Sequence, residues 1–354
     1  MQKKINFLEN KIPNFENIKK IYQKSIKINH HANFGPVSKI LESKLKKILK
    51  LPKNKSVIMC SSATMGLLII CNYLRLHNKN KSIFATSNCT FFSSNLNFLS
   101  NSKILPTNEK GLISKKYIEK KLSTFSDLIY TNLFNQDPYF NEIYNLCKKY
   151  KKNLIIDNAT NLLDRPKNYN KMNIYEVISF HHTKPWGFGE GGMIVCNDKH
   201  EKKIRELINF GSKNFLFDKH YSFNAKISDW SCSVILDRIN NYNKWSLRYQ
   251  NQYKRVKKII FDNFNFYKIL DKQTKSPKNY IAIICNKTVD NNLLKKTKYL
   301  EFKKYYRPLS KSLKNCNAKK IYENILCVPC HNDLIKISNK KIINDLSLFI
   351  DEKK

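Results

Sequence analysis

Short apolar runs at residues 57–60, 82–85, 128–131, 154–157, 177–180 and 193–196 recur through the first two thirds of the 354-residue chain. Amphipathic stretches at 37–49, 63–75, 139–150, 199–208 and 228–240 separate or flank them. Runs of this length with little polar alternation suit strands buried on both faces. Strands alternating with helices predict a mostly parallel sheet covered by helices on both sides. Functional side chains are then expected at the carboxyl ends of the strands. After about residue 240 the pattern changes to a long polar helix (244–261), a strand (280–285) and short elements. Residues 1–240 therefore read as a large domain and 241–354 as a smaller C-terminal one.

Charge narrows the functional classes. The formal net charge is +38, yet arginine is confined to positions 75, 165, 205, 238, 248, 255 and 307. The remaining cations are lysines spread along the whole chain among asparagine and isoleucine, without a patch. Direct base readout relies on arginine forks, and no nucleic-acid motif is present, so no nucleic-acid partner is expected. The excess charge favours anionic small molecules such as a nucleotide diphosphate. The apolar stretch 57–74 is interrupted by Ser61, Ser62, Thr64 and Asn72, which argues against a membrane span. The first ten residues lack an apolar signal core. Ten cysteines in such a chain read as free thiols in a reducing cytoplasm.

Residues 179–192 read Ser-Phe-His-His-Thr-Lys-Pro-Trp-Gly-Phe-Gly-Glu-Gly-Gly. Lys184 thus lies between the end of one buried strand and a glycine-rich turn into the next. A lysine held there cannot swing freely into water, and desolvation lowers its pKa and frees its amine for Schiff-base chemistry. Asp157 ends the run Leu154-Ile155-Ile156 one strand earlier. A carboxylate at a buried strand end is costly unless paired; it either caps the next turn or meets a cation there. Ser61-Ser62-Ala63-Thr64-Met65-Gly66 lies where a strand hands over to a helix. Small and hydroxylated residues at that place serve as a plain N-cap or admit a phosphate to the helix N-terminus.

Together these segments resemble the DegT/DnrJ/EryC1/StrS family of sugar aminotransferases, whose pyridoxal 5'-phosphate loop reads Ser-Phe-His-x-x-Lys followed by Gly-x-Gly-Gly. The resemblance spans about residues 30–345. It includes Asn33-Phe34-Gly35-Pro36-Val37, Tyr-Ser-Phe-Asn224-Ala-Lys226-Ile-Ser, Tyr305-Tyr306-Arg307-Pro308-Leu309 and Leu326-Cys327-Val328-Pro329. It implies an α/β protein of the type I fold of pyridoxal-phosphate-dependent transferases, aspartate-aminotransferase-like, with a mostly parallel central sheet and a smaller C-terminal α+β domain. Lys184 would be the Schiff-base lysine and Asp157 the partner of the pyridine nitrogen. Thr64, Met65 and Ser179 would hold the phosphate, Phe91 would stack on the ring, and Thr160 would stand near the phenolic oxygen, where relatives carry Gln or His. Asn224 would reach the phosphate of a partner subunit, making the active unit a homodimer. Lys226 stands where the family has arginine, which keeps the charge but loses the planar fork. His182 and Trp186 make the lysine loop bulkier than usual, which would alter the sugar pocket.

The activity so implied is transfer of an amino group, with glutamate as donor, to a nucleotide-linked keto-deoxysugar, for surface glycan or related amino-sugar biosynthesis. Two other readings stand beside it: a sugar dehydratase of the same fold, in which histidine replaces the lysine, and a non-catalytic relative that binds anions. Cys327-Val-Pro-Cys-His331 has the C-x-x-C-H spacing of haem attachment, but the family's Leu-Pro segment accounts for it and no metal is expected. Gly187-Phe-Gly-Glu-Gly-Gly precedes a strand instead of joining a strand to a helix, so it is not a dinucleotide fingerprint.

Overall fold

The apolar runs assemble into one twisted sheet. The computed structural model describes residues 4–211, 215–272, 274–310 and 317–353. Its central strands are β1 (Lys55–Cys60), β2 (Phe84–Ser87), β3 (Lys103–Leu105), β4 (Asp127–Thr131), β5 (Asn153–Asp157), β6 (Tyr175–Ser179) and β7 (Gly192–Asn197). They lie in the order β1-β7-β6-β5-β4-β2-β3. β7 runs antiparallel to both of its neighbours and the remaining pairs are parallel. Each expected strand is present, displaced by no more than two residues at an end. The fold class is the expected one.

Successive residues alternate between two cores. Val57, Met59, Leu154, Ile156, Met193 and Val195 face one apolar cluster, while Ile58, Ile155, Ile194 and Cys196 face another. That alternation follows from the two-residue period of a strand, and coverage on both sides explains the apolar sequence. Helices α1 (Phe15–Lys27) and α2 (Pro36–Ile48) pack on the first face with the helix Asp229–Asn240. α3 (Ala63–His77) and the helix Asp198–Ile208 pack on the second. Asp229 fastens the first group. Buried, it accepts hydrogen bonds from Ser25 Oγ (2.7 Å), Val37 N (2.9 Å) and Ser38 N (3.0 Å). This carboxylate caps the N-terminus of α2 from another helix, and it sits so close to Gly35 that a Cβ there would lie 2.5 Å from its Oδ2.

Beyond the helix Tyr242–Asn263, strands Lys268–Ile269, Tyr280–Ile284 and Ile325–Pro329 form a separate three-stranded antiparallel sheet. Val256, Ile260, Phe264, Ile281, Leu326, Val328 and Leu346 fill its own core. The N-terminal segment joins this part of the molecule. Ile5 N donates to Tyr299 O (2.9 Å), Glu301 N to Ile5 O (2.9 Å) and Phe7 N to Glu301 Oε2 (2.7 Å).

One buried polar network fixes the turn after β5. Glu176, inside β6, accepts from Arg165 Nε (3.0 Å) and Nη2 (3.1 Å), Tyr169 OH (2.5 Å) and Asn158 Nδ2 (2.6 Å). Asn158 Oδ1 in turn accepts from Asn132 Nδ2 at 2.8 Å. Removing one partner of a buried ion pair leaves the other uncompensated. Arg165→Met is therefore expected to lose about 3–5 kcal/mol of stability, read as a lowered urea midpoint. An unchanged midpoint would show that Glu176 does not need its cation.

Candidate active site

β4, β5 and β6 end side by side, and a cavity of about 420 Å³ opens over their carboxyl ends. That volume lies in the range of small-molecule sites. Asp157 closes β5 in register with Val177 of β6, and Ser179 is the last residue of β6. The chain then turns through residues 181–191 before re-entering the sheet as β7. Within this loop His182 N donates to Gly189 O (2.7 Å), Lys184 N to His181 O (2.9 Å) and Gly187 N to Lys184 O (3.0 Å). Gly187 is obligatory there, since a Cβ would lie 2.2 Å from His181 O. Among the described residues the Lys184 amine has no hydrogen-bond or ion-pair partner, and Lys184 lines the cavity.

Burial lowers the pKa of Lys184, opposed by the charge of Asp157. Burial raises that of Asp157, offset by the Ala159 N–H and by Lys184. Ala159 N donates to Asp157 Oδ1 at 3.2 Å, and no cation of the described residues reaches the carboxylate as an ion pair. The two groups thus face one cavity from neighbouring strand ends, each desolvated and neither directly neutralised. A desolvated carboxylate without a cation suits a protonated ring nitrogen, and a desolvated free amine suits a carbonyl carbon.

The third wall is the start of α3. Ser62 caps the helix, its hydroxyl accepting from Met65 N at 3.1 Å. Gly192 packs against this cap so tightly that a Cβ would lie 2.2 Å from Ser62 C and 2.4 Å from Ala63 N. β7 thereby fixes the helix terminus beside Ser179, whose Oγ accepts from His181 N at 3.2 Å. Ser62, Thr64 and Ser179 all line the cavity. A helix N-terminus of this length with hydroxyls around it suits a phosphate. Carboxylate, amine and phosphate cradle together fit pyridoxal phosphate.

Of the residues singled out from sequence, Thr64, Phe91, Asp157, Thr160, Ser179 and Lys184 line this one cavity. The Phe91 ring lies tilted against Phe92 with centroids 4.0 Å apart and meets the Tyr306 ring edge-on at 6.0 Å. Thr160 Oγ1 donates to Asn132 O at 3.3 Å. Met65 does not line the cavity. Its N–H is taken by Ser62 and its side chain packs against the apolar cluster around α3. Asn224 is exposed and also outside the cavity, although Ser61 N donates to the adjacent Ala225 O at 2.8 Å. Lys226 Nζ donates to Asn209 Oδ1 at 2.6 Å. Trp186 departs from expectation. It is fully buried in the sheet core and donates to Ser179 O at 2.7 Å, so it braces the loop and adds nothing to a pocket wall. Cys327 and Cys330 are buried, and the described residues hold no group of three side chains suited to a metal. Nor does any described helix have the length and apolar character to cross a membrane.

Two features of the site have no local sequence signal that gathers them, although Tyr305 and Tyr306 fall in a family-like segment. The cavity's far wall is aromatic, built from Phe7, Phe134, Tyr280, Tyr305 and Tyr306, with Phe134 and Tyr306 stacked at 5.7 Å. In addition Lys11, from the N-terminal segment, reaches beneath the lysine loop. Only the fold brings residues so far apart in sequence together.

The arrangement is that of the type I pyridoxal-phosphate-dependent transferases. The solved structure of Helicobacter pylori PseC, an aminotransferase of pseudoaminic acid biosynthesis, superposes with a TM-score of 0.78 at 18% identity, covering 98% of this chain and 99% of that one. DesI, solved in the presence of its TDP-sugar product, gives 0.77 at 16% identity, covering 95% and 90%. A Campylobacter jejuni UDP-4-amino-4,6-dideoxy-N-acetyl-beta-L-altrosamine transaminase is 25% identical over 331 residues, which is 84% of this chain and 86% of the relative. The model of the DegT/DnrJ/EryC1/StrS aminotransferase family matches residues 14–347, and the chain belongs to that family.

The lowered pKa of Lys184 makes a test possible without any cofactor. Only the neutral amine attacks formaldehyde, so a lysine with a depressed pKa reacts at lower pH than its neighbours. Reductive methylation followed by peptide mass spectrometry should give Lys184 a half-maximal pH below the ordinary 10.5. A profile coincident with surface lysines would remove the desolvation account.

Proposed function

We propose that this chain is a pyridoxal-phosphate-dependent aminotransferase that converts a nucleotide-linked keto-deoxysugar to the amino sugar, with glutamate as nitrogen donor. One observation carries the reading: Lys184 and Asp157 open desolvated into one cavity, from neighbouring strand ends beside the α3 terminus. The C. jejuni relative is named for a UDP-linked dideoxy amino sugar and DesI for a TDP-sugar product, which supports this substrate class.

Pyridoxal phosphate supplies the electron sink that makes a proton on the donor's α-carbon removable. Lys184, with its depressed pKa, serves as base at that carbon and as acid at the sugar carbon that receives nitrogen. Asp157 holds the pyridine nitrogen protonated, while the α3 N-terminus, Thr64 and Ser179 anchor the phosphate. Phe91 covers the ring. Across the cavity the aromatic wall suits the apolar face of a deoxysugar. The chain's net charge of +38 favours approach of a nucleotide diphosphate.

The working unit is a cytoplasmic homodimer in which Asn224 of each subunit completes the phosphate site of the other. Residues 1–240 form the cofactor domain and 241–354 the smaller one. Exposure of Asn224 beside the end of β1 supports the shared site.

The test screens keto-sugar nucleotides with glutamate, then mixes two variants on the substrate found. Lys184→Ala and Asn224→Asp are each expected to be inactive, the second because a carboxylate repels phosphate. After subunit exchange one site per heterodimer is intact, so activity should recover to about a quarter of wild type. Turnover by Lys184→Ala alone would refute the catalytic assignment. Absence of recovery despite proven exchange would refute the shared site.

A further inference from the structure

The underside of the lysine loop is held by two cations from distant parts of the chain. Lys11 Nζ donates to His182 O (2.6 Å), to Gly187 O (2.7 Å) and to Lys184 O. An ammonium has three N–H donors, and here each has a carbonyl of the same turn. Arg238 takes another carbonyl of the turn, donating to Pro185 O from Nε (3.0 Å) and Nη2 (2.8 Å). A single carboxylate stands behind both cations: Glu9 pairs with Arg238 at 2.9 Å and accepts from Tyr249 OH at 2.8 Å. The loop's carbonyls thus meet these two side chains, while Lys184 itself lines the cavity.

Lys11 belongs to a strap that is tied along its length. Ile5 pairs with Leu300, His331 Nε2 lies 3.0 Å from Asn6 O, and Asn10 N donates to Asp333 Oδ2 at 2.8 Å. Between these ties, Phe7 and Leu8 line the cavity. One short segment thus contributes to the wall above the Lys184 amine and grips the main chain below it. Burial, with Arg238 alongside, pulls the Lys11 pKa down to about 7 against the opposing charge of Glu9; the loop's carbonyls replace part of the water that a desolvated ammonium loses.

We propose that Lys11 is a positioning residue for Lys184, holding the turn 182–187 in the shape that aims the amine into the cavity. This rests on the reading of Lys184 as the catalytic amine, but the holding itself does not need a cofactor. A three-carbonyl grip removes freedom from the backbone that carries Lys184, and accuracy of placement is worth large rate factors. Loss of the grip should lower kcat more than it raises KM, because substrate contacts other than those of Lys184 survive.

The experiment uses the full chain with and without pyridoxal phosphate, comparing Lys11→Met, Lys11→Gln and Lys11→Arg with wild type. In the cofactor-free protein, Lys11→Met should speed amide hydrogen exchange across residues 181–189 by about tenfold or more, the equivalent of one lost charge-assisted hydrogen bond, with the rest of the sheet unchanged. The rate of reductive methylation at Lys184 should change alongside while other lysines keep theirs. With cofactor and substrate, kcat should fall at least tenfold with KM within about threefold, and Lys11→Arg, which keeps donors and charge, should recover part of kcat. Should Lys11→Met not fold, Lys11→Gln is read in its place. Wild-type exchange at 181–189 and an unaltered Lys184 methylation rate would overturn the proposal whether or not the enzyme is active. If wild type binds no pyridoxal phosphate, the functional reading fails, and the exchange and methylation results still decide whether Lys11 holds the loop.

Discussion

Desolvation of two opposite groups at neighbouring strand ends is the constraint on which the rest of this structure depends. Asp157 and Lys184 each lose water on folding, and each has its pKa moved toward the neutral form. Neither is relieved by a direct ion pair among the described residues. A fold tolerates such an arrangement only where the surroundings are over-determined. Here the Glu176–Arg165–Asn158 network fixes the turn after Asp157, and Trp186 with Gly187 locks the turn around Lys184.

The same logic organises the elements farther out. A parallel sheet puts strand ends on one side of the molecule, so residues remote in sequence reach the same opening. β7, the antiparallel strand, brings Gly192 against the cap of α3 and so sets that helix N-terminus, the proposed phosphate cradle, next to the lysine loop. The N-terminal strap then joins the smaller sheet to the underside of that loop, with Phe7 facing the cavity and Lys11 facing the carbonyls. A substrate touching Phe7 in the aromatic wall therefore contacts the same segment that grips the lysine turn.

Much of this was legible in the sequence because its causes are local. Double-sided burial writes itself as apolar runs, and the turn around Lys184 as glycines. β3 left no such mark: its three residues sit at the sheet edge with only Leu105 buried. α1 leaves a weak mark because lysines crowd its amphipathic pattern and only Ile18 and Ser25 are buried. For Trp186 the sequence shows the side chain's bulk but not the face of the loop on which it falls. Lys11 lay beyond reach for a plainer reason. Its partners are backbone carbonyls more than 170 positions away, and a carbonyl has no sequence signature. Met65 and Asn224 matched family positions, yet neither lines the cavity of a single chain.

The central claim is that one lysine, among many in a strongly basic chain, is the amine that bonds the cofactor. Incubation with pyridoxal phosphate, reduction with borohydride and peptide mapping test it most directly. The account predicts a pyridoxyl adduct confined to the peptide containing Lys184, at about one per chain, and reduced in an Asp157→Asn variant. An adduct on another lysine, or label scattered over surface lysines at equal yield, would contradict it.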